Sequence, residues 1–198
     1  IRFNLSAGHS IVFNKQNLRS EEYKIKIKKD SILIEYSDYG GKFYSIITLI
    51  QLINFYNTNL PLGLIEDRPA LNWRGMHLDC ARQFYTIDEI KRLMDYMCFF
   101  KLNRFHWHLT DNEAWRIELE CYPNLTKVGA FRGYNHSIPP FYGTGYNKTG
   151  GYYSRNQINE LIVYAKQRNI EIMPEIDLPA HSWTLLQVMP ELRDSSSN

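Results

Sequence analysis

The chain has 198 residues, with 23 Lys and Arg against 21 Asp and Glu and a formal net charge of +2. That balance excludes the electrostatic footprint of a nucleic-acid binder or a polybasic membrane anchor. The longest apolar run, around Ile46 to Ile53, is too short to cross a bilayer and is interrupted by Thr48 and Gln51, so no transmembrane helix is expected.

In chain order, Tyr23, Ile25 and Ile27 alternate with lysines, and after Lys29-Asp30-Ser31 a second run from Ile32 to Tyr36 begins. This is a hairpin pattern. Gly40-Gly41 breaks it, and Phe43, Ile46, Ile47, Ile50 and Ile53 then recur at helical spacing through Phe55, which predicts an amphipathic helix lying on the sheet. Residues 1–65 therefore read as a small α+β domain, a unit that buries little surface alone and wants a neighbour. Pro61 to Pro69 reads as a linker.

Residues 66–198 have a different rhythm. Gly75 to Ala81 is a strand pattern. Thr86 is placed as a helix N-cap with Glu89 as its capping-box partner, and Ile90, Leu93, Met94, Met97 and Cys98 form the inner stripe. Arg104 to Thr110 is a second strand. Ser154 and Gln157 repeat the capping arrangement for a helix through Gln167 with the stripe Ile158, Leu161, Ile162 and Ala165, and Ile170 to Asp177 is a third strand. Strands joined by helical crossovers of this length run parallel. The class is α/β. No glycine-rich phosphate turn follows the first strand, whereas polar residues crowd all three strand ends. That favours the first three or so βα units of a TIM (β/α)₈ barrel over a doubly wound sheet, and a complete barrel needs about 250 residues.

Alternation sets His106, His108 and Thr110 on one face of the second strand and Phe105, Trp107 and Leu109 on the other. The apolar set packs on helices and the histidines point inward. Asp111 sits where this strand becomes loop, Asp79 and Arg82 end the first strand, and Glu175, Asp177 and His181 end the third. One arginine, several carboxylates and imidazoles thus reach one rim. Bland readings stand beside this one: a lone strand histidine is commonly a hydrogen-bonded core residue, Asp79 an internal hydrogen-bond partner, and Trp107, Trp115 and Trp183 core or sugar-stacking alike. His106-x-His108 also fits a zinc pair of a metal-dependent hydrolase barrel.

Three cysteines, Cys80, Cys98 and Cys121, give neither a disulfide framework nor a zinc spacing, and read as mostly buried thiols. Sequons begin at Asn4, Asn124, Asn135 and Asn147, which leans toward a secreted or lysosomal location. A start at Ile1 rather than Met leads us to expect a mature, processed or excerpted piece.

The stretches WRGMHLDCARQFYTIDEIKRLMDYMCFFKLNRFHWHLTDNEAWRIELECYPNLTKVGAFR and GGYYSRNQINELIVYAKQRNIEIMPEIDLPAHS resemble the β-N-acetylhexosaminidases of glycoside hydrolase family 20. The hairpin and helix ending in FYSIITLIQLI look like the small α+β domain that precedes the barrel in that family. HWHLTD together with PEIDLPAH is the specific part of the match. The resemblance implies exo-hydrolysis of terminal non-reducing N-acetylglucosamine or N-acetylgalactosamine, with retention, by attack of the substrate's own 2-acetamido oxygen. It implies that Arg82 binds hydroxyls of the terminal sugar, that Asp111 and His181 form a relay supporting the catalytic acid, and that His108, Glu175 and Asp177 line the site. It implies no metal and no cofactor. Ala180, Asn112 and Gln83 stand where the family usually has Gly, Asp and His. The family's catalytic Asp-Glu pair lies in a His-x-Gly-Gly-Asp-Glu segment, but here Gly40-Gly41 is followed by Lys42 and Gly150-Gly151 by Tyr152. The pair is therefore expected beyond residue 198, supplied by a longer parent, a second chain or a dimer partner, with these residues inactive alone. A non-catalytic sugar-binding truncation and the metal-dependent hydrolase remain as alternatives.

Overall fold

The computed structural model describes residues 2–4, 10–57, 59–141 and 145–194. Its contacts divide the chain into two compact units: Ile1–Arg74 with Cys98–Lys101, and Gly75–Met97 with Leu102–Asn198.

The first unit holds β1 (Arg2–Asn4), β2 (Ser10–Lys15), β3 (Tyr23–Ile27), β4 (Ser31–Tyr36), α1 (Tyr39–Tyr56), β5 (Asn59–Pro61) and β6 (Gly63–Asp67). β1 pairs antiparallel with β5, and the main sheet has the order β2-β4-β3-β6. The expected hairpin is β3 and β4, with Ile25 opposite Ile34. Tyr23, Ile25, Ile27, Ile32 and Ile34 are at most 4% exposed, and each such side chain contributes about 1.5–3 kcal/mol by leaving water.

Two expectations need correction here. The stretch expected as a linker contains β6, which pairs antiparallel with β3 and sets Ile65 opposite Ile25. Its alternation is faint because Leu64 is exposed and Ile65 alone packs on the core. Gly40-Gly41 does not precede α1 but lies inside its first turn, where Asp38 is the N-cap and accepts from the Gly41 N–H at 2.8 Å. The buried face is Gly40, Gly41, Tyr44, Ser45, Thr48 and Leu49, while Ile46 and Ile50 are exposed. Close approach decides the face: a Cβ on Gly41 would stand 2.6 Å from the Glu22 carbonyl oxygen.

The second unit contains β7 (Gly75–Asp79), α2 (Ile87–Phe99), β8 (Arg104–Asp111), β9 (Ala114–Trp115), α3 (Asn124–Lys127), β10 (Phe131–Arg132), β11 (Thr149–Gly150), α4 (Arg155–Lys166), β12 (Glu171–Ile176) and α5 (Trp183–Val188). β7 and β12 flank β8, both parallel to it. Successive parallel strands are therefore neighbours in space, with α2 in the first crossover and α4 in the second. Both capping boxes form: Thr86 Oγ1 and Glu89 exchange bonds at the head of α2, and Ser154 and Gln157 do so for α4. On α4 the stripe is narrower than expected, since Leu161 and Ala165 are buried but Ile162 is 49% exposed.

Phe105, Trp107 and Leu109 are at most 1% exposed on the apolar face of β8. Trp107 lies 4.7 Å from the Tyr153 ring and donates to Cys80 Sγ, so it belongs to the core. Cys80 and Cys98 are buried and Cys121 is exposed, all three as free thiols. Behind the strand ends, Arg116 is only 1% exposed and donates to the carbonyls of Cys80, Ala81, Ala130 and Gly151. This clamp fixes the chain as it leaves β7.

Candidate active site

The exit from β7 is shaped by Asp79. One carboxylate oxygen accepts the N–H groups of Ala81 and Arg82, both at 3.0 Å, and the other accepts Arg82 Nη1 at 2.9 Å. The turn thereby aims Arg82 at the end of β8. There Nη2 lies 2.6 Å from Asp111 Oδ2 and Nε donates to Glu113 Oε2 at 2.9 Å. The Asp111 and Glu113 side chains are 1% and 5% exposed, and that of Arg82 34%.

Asp111 is the hub. Oδ1 accepts from the Asn112 N–H and faces His181 Nδ1 at 3.1 Å; Oδ2 faces His108 Nε2 at 3.1 Å as well as Arg82. His181 reaches it from the loop after β12 with φ of 53°, in the left-handed region, a conformation that costs a non-glycine residue about 1 kcal/mol or more. Arg82, Asp111 and His181 are thus brought together at the carboxyl ends of three adjacent parallel strands.

A guanidinium carries five N–H groups, and three are used here, leaving one on each terminal nitrogen. His108 Nε2 is 3.4 Å from Nη1, but as a donor to Asp111 it offers no lone pair. Burial disfavours charge on His108, yet Glu175 and Asp111 on either side outweigh it and hold its pKa above the ordinary imidazole value. Arg82 is likewise raised: desolvation is exceeded by Asp79, Asp111 and Glu113. Desolvation of Asp79 is overcome by the Arg82 backbone and guanidinium bonds, so its pKa falls.

Glu175 turns to the imidazoles rather than to the arginine: its Oε2 is 2.7 Å from His106 Nε2 and 2.8 Å from His108 Nδ1. His77, His108 and Glu175 have the spacing of a metal-ligand group, as do His108, Asp111 and Asp177. Asp177 thus lies at the same mouth, with its N–H donated to Thr110 Oγ1. Trp115 is buried; Trp183 is partly exposed and stacks edge-on with Phe141.

Sequence reasoning missed Glu113. It lies in the turn after β8, past the end of the strand, where alternation no longer says which way a side chain faces. Asn112 was read only as a departure, yet its Oδ1 accepts the Trp183 N–H and its carbonyl accepts Thr184 Oγ1.

Residues 71–198 match the glycosyl hydrolase family 20 catalytic domain, and residues 3–68 match domain 2 of the same family. The chain belongs to glycosyl hydrolase family 20. It is 41% identical over 171 residues to a beta-hexosaminidase of Vibrio furnissii, covering 85% of this chain and 28% of that one. It is 39% identical over 178 residues to the N,N'-diacetylchitobiase of Vibrio harveyi, covering 86% and 20%. The crystal structure of the family 20 exo beta-N-acetylglucosaminidase from Vibrio harveyi, in complex with N-acetylglucosamine, superposes with a TM-score of 0.90 at 37% identity over 95% of this chain and 30% of that one. The chain therefore spans less than a third of the length of these relatives. In this family's architecture, the parallel strands β7, β8 and β12 are the first part of the catalytic barrel and the preceding sheet and helix are the small α+β domain.

Proposed function

We propose that the chain is part of an exo-acting β-N-acetylhexosaminidase that removes terminal non-reducing N-acetylglucosamine or N-acetylgalactosamine with retention, using the substrate's own acetamide oxygen as nucleophile. The observation that carries this reading is the linked set Arg82, Asp111 and His181 at one strand-end mouth of a family 20 chain. Arg82, oriented by Asp79, Asp111 and Glu113, turns its two remaining N–H groups to neighbouring hydroxyls of the terminal sugar, a charge-assisted pair of contacts. Asp111, held by His181 on one oxygen and by Arg82 and His108 on the other, keeps the polar relay in register with the general acid.

The acid itself, with its Asp partner, belongs to a His-x-Gly-Gly-Asp-Glu segment outside these 198 residues, supplied by the same parent chain or by a second chain. These residues alone bind and orient the sugar without cleaving it. Exposed Asn124, Asn135 and Asn147 support placing the protein in a secretory or lysosomal compartment, where a mass decrease on endoglycosidase treatment is the check.

The test is an assay on a chromogenic N-acetylglucosaminide. No turnover is expected from the 198 residues, and turnover is expected once they are joined to the remaining strands of a family 20 barrel, falling at least about a hundredfold in Arg82→Ala. Turnover by the isolated chain overturns the division of roles. Sugar binding with no turnover in the joined protein favours a purely sugar-binding role.

A further inference from the structure

One layer below the strand ends, on the inward face, His77 of β7, His106 and His108 of β8 and Glu175 of β12 meet. The registers set His77 opposite His106 and Glu175 opposite His108. Glu175 Oε2 lies 2.8 Å from His108 Nδ1, 2.7 Å from His106 Nε2 and 3.7 Å from His77 Nε2. Ligand atoms of His77, His108 and Glu175 all fall within 4.8 Å of one another.

His108 is 4% exposed, and its Nδ1 and Glu175 Oε2, both buried atoms, stand 2.8 Å apart with no hydrogen bond of good geometry to any group among the described residues. Such atoms are unfavourable to leave unsatisfied. Two of them converging from adjacent strands are satisfied together by an electrophile that both can bind. The other nitrogen of the ring, Nε2, faces Asp111 Oδ2 at 3.1 Å, so the ring is oriented by Asp111 with Nδ1 directed at Glu175. Metal-binding histidines have this arrangement, with one nitrogen on the ion and the other held by a carboxylate.

We propose that His77, His108 and Glu175 form a divalent transition-metal site, with zinc the ion best suited to two imidazoles and a carboxylate, and with His106 beside it to complete the coordination or hold a bound water. Bonds of 2.0–2.2 Å at tetrahedral angles separate donors by about 3.4 Å, and the spacings of 2.8 and 3.7 Å from Glu175 bracket that value. The competing group of His108, Asp111 and Asp177 is disfavoured because both Asp111 oxygens are already engaged by Arg82, His108, His181 and the Asn112 N–H. The site does not depend on the hydrolytic reading, since it is argued from strand register and donor spacing and is read out by metal binding rather than turnover.

The test uses the tag-free chain, stripped with chelator and titrated with cobalt(II) and then zinc at about pH 8, which limits proton competition for the ligands. One cobalt per chain is expected, with the visible absorption of a four-coordinate site, displaced by one equivalent of zinc. His77→Ala and Glu175→Gln should each weaken zinc at least about tenfold, whereas His136→Ala, an exposed histidine outside the cluster, leaves affinity unchanged. X-ray absorption on the zinc-loaded wild-type chain reads two or three imidazole nitrogens and decides the matter if a variant loses its far-ultraviolet dichroism. A zinc affinity weaker than about 0.1 mM, binding indifferent to His77 and Glu175, or a zinc shell without imidazole overturns the proposal.

Discussion

Two polar knots, one in each unit, are composed differently. In the first unit, Lys101 Nζ lies 2.7 Å from both Asp67 and the Tyr23 hydroxyl, and that hydroxyl also meets Thr48 and Asp67. One carboxylate answers one ammonium, and the phenol between them is held protonated, its pKa pushed far up by burial and by Asp67. In the second unit three carboxylates share one guanidinium that still has two N–H groups without an acceptor among the described residues. A closed knot satisfies itself and works as structure. An open one keeps both excess charge and unused donors, which is what a site awaiting a polar ligand requires.

The sharpest way to break this contrast is Arg82→Ala, which takes the guanidinium from two buried carboxylates and leaves Asp111 only its histidines and the Asn112 N–H. A stability loss of about 3 kcal/mol is expected in urea unfolding, at the low end for a broken buried pair because Arg82 itself is a third exposed; a loss below about 1 kcal/mol would mean that solvent screens the excess. Asp67→Asn keeps the shape of the closed knot and removes its only anion. About 1–2 kcal/mol is expected, and a loss exceeding that of Arg82→Ala would invert the comparison.

A pH profile adds a smaller effect from His108 and Glu175. Desolvation of Glu175 is outweighed by His108 and His106, so its folded pKa lies below 4.5, while that of His108 lies above 6.5. Their joint contribution is therefore complete between those two values. It is lost as pH rises through the raised histidine value and as it falls through the lowered glutamate value. Glu175→Gln should flatten both flanks of the melting-temperature curve. Least of all, Glu113→Gln retains an acceptor for Arg82 Nε and removes one excess charge, so a change under about 1 kcal/mol is expected; a loss above 2 kcal/mol would show that the rim needs its full negative charge.

The second unit was the more legible in sequence because its signals are local. Capping boxes at Thr86 and Ser154, alternation in β8, and polar residues just past each strand are enough to place Arg82, Asp111 and His181 at one mouth from the sequence. The first unit was read less well where long-range contact overrides local pattern. α1 is apolar nearly all round, so its periodicity could not choose a face, and the choice was made by Gly41 against the Glu22 carbonyl. β6 has a single inward residue and takes its place from β3. The imidazole cluster escaped because it depends on register: His77 gains meaning only when it stands opposite His106.

Asn112 binds the chain just past β8 to the start of α5 through the Trp183 N–H and the Thr184 hydroxyl. The two segments carrying Asp111 and His181 are thereby stapled and travel as a single body. Natural variation at 112, 183 and 184 should accordingly be correlated, and a directed-evolution campaign that randomises either segment singly would sample mostly broken staples.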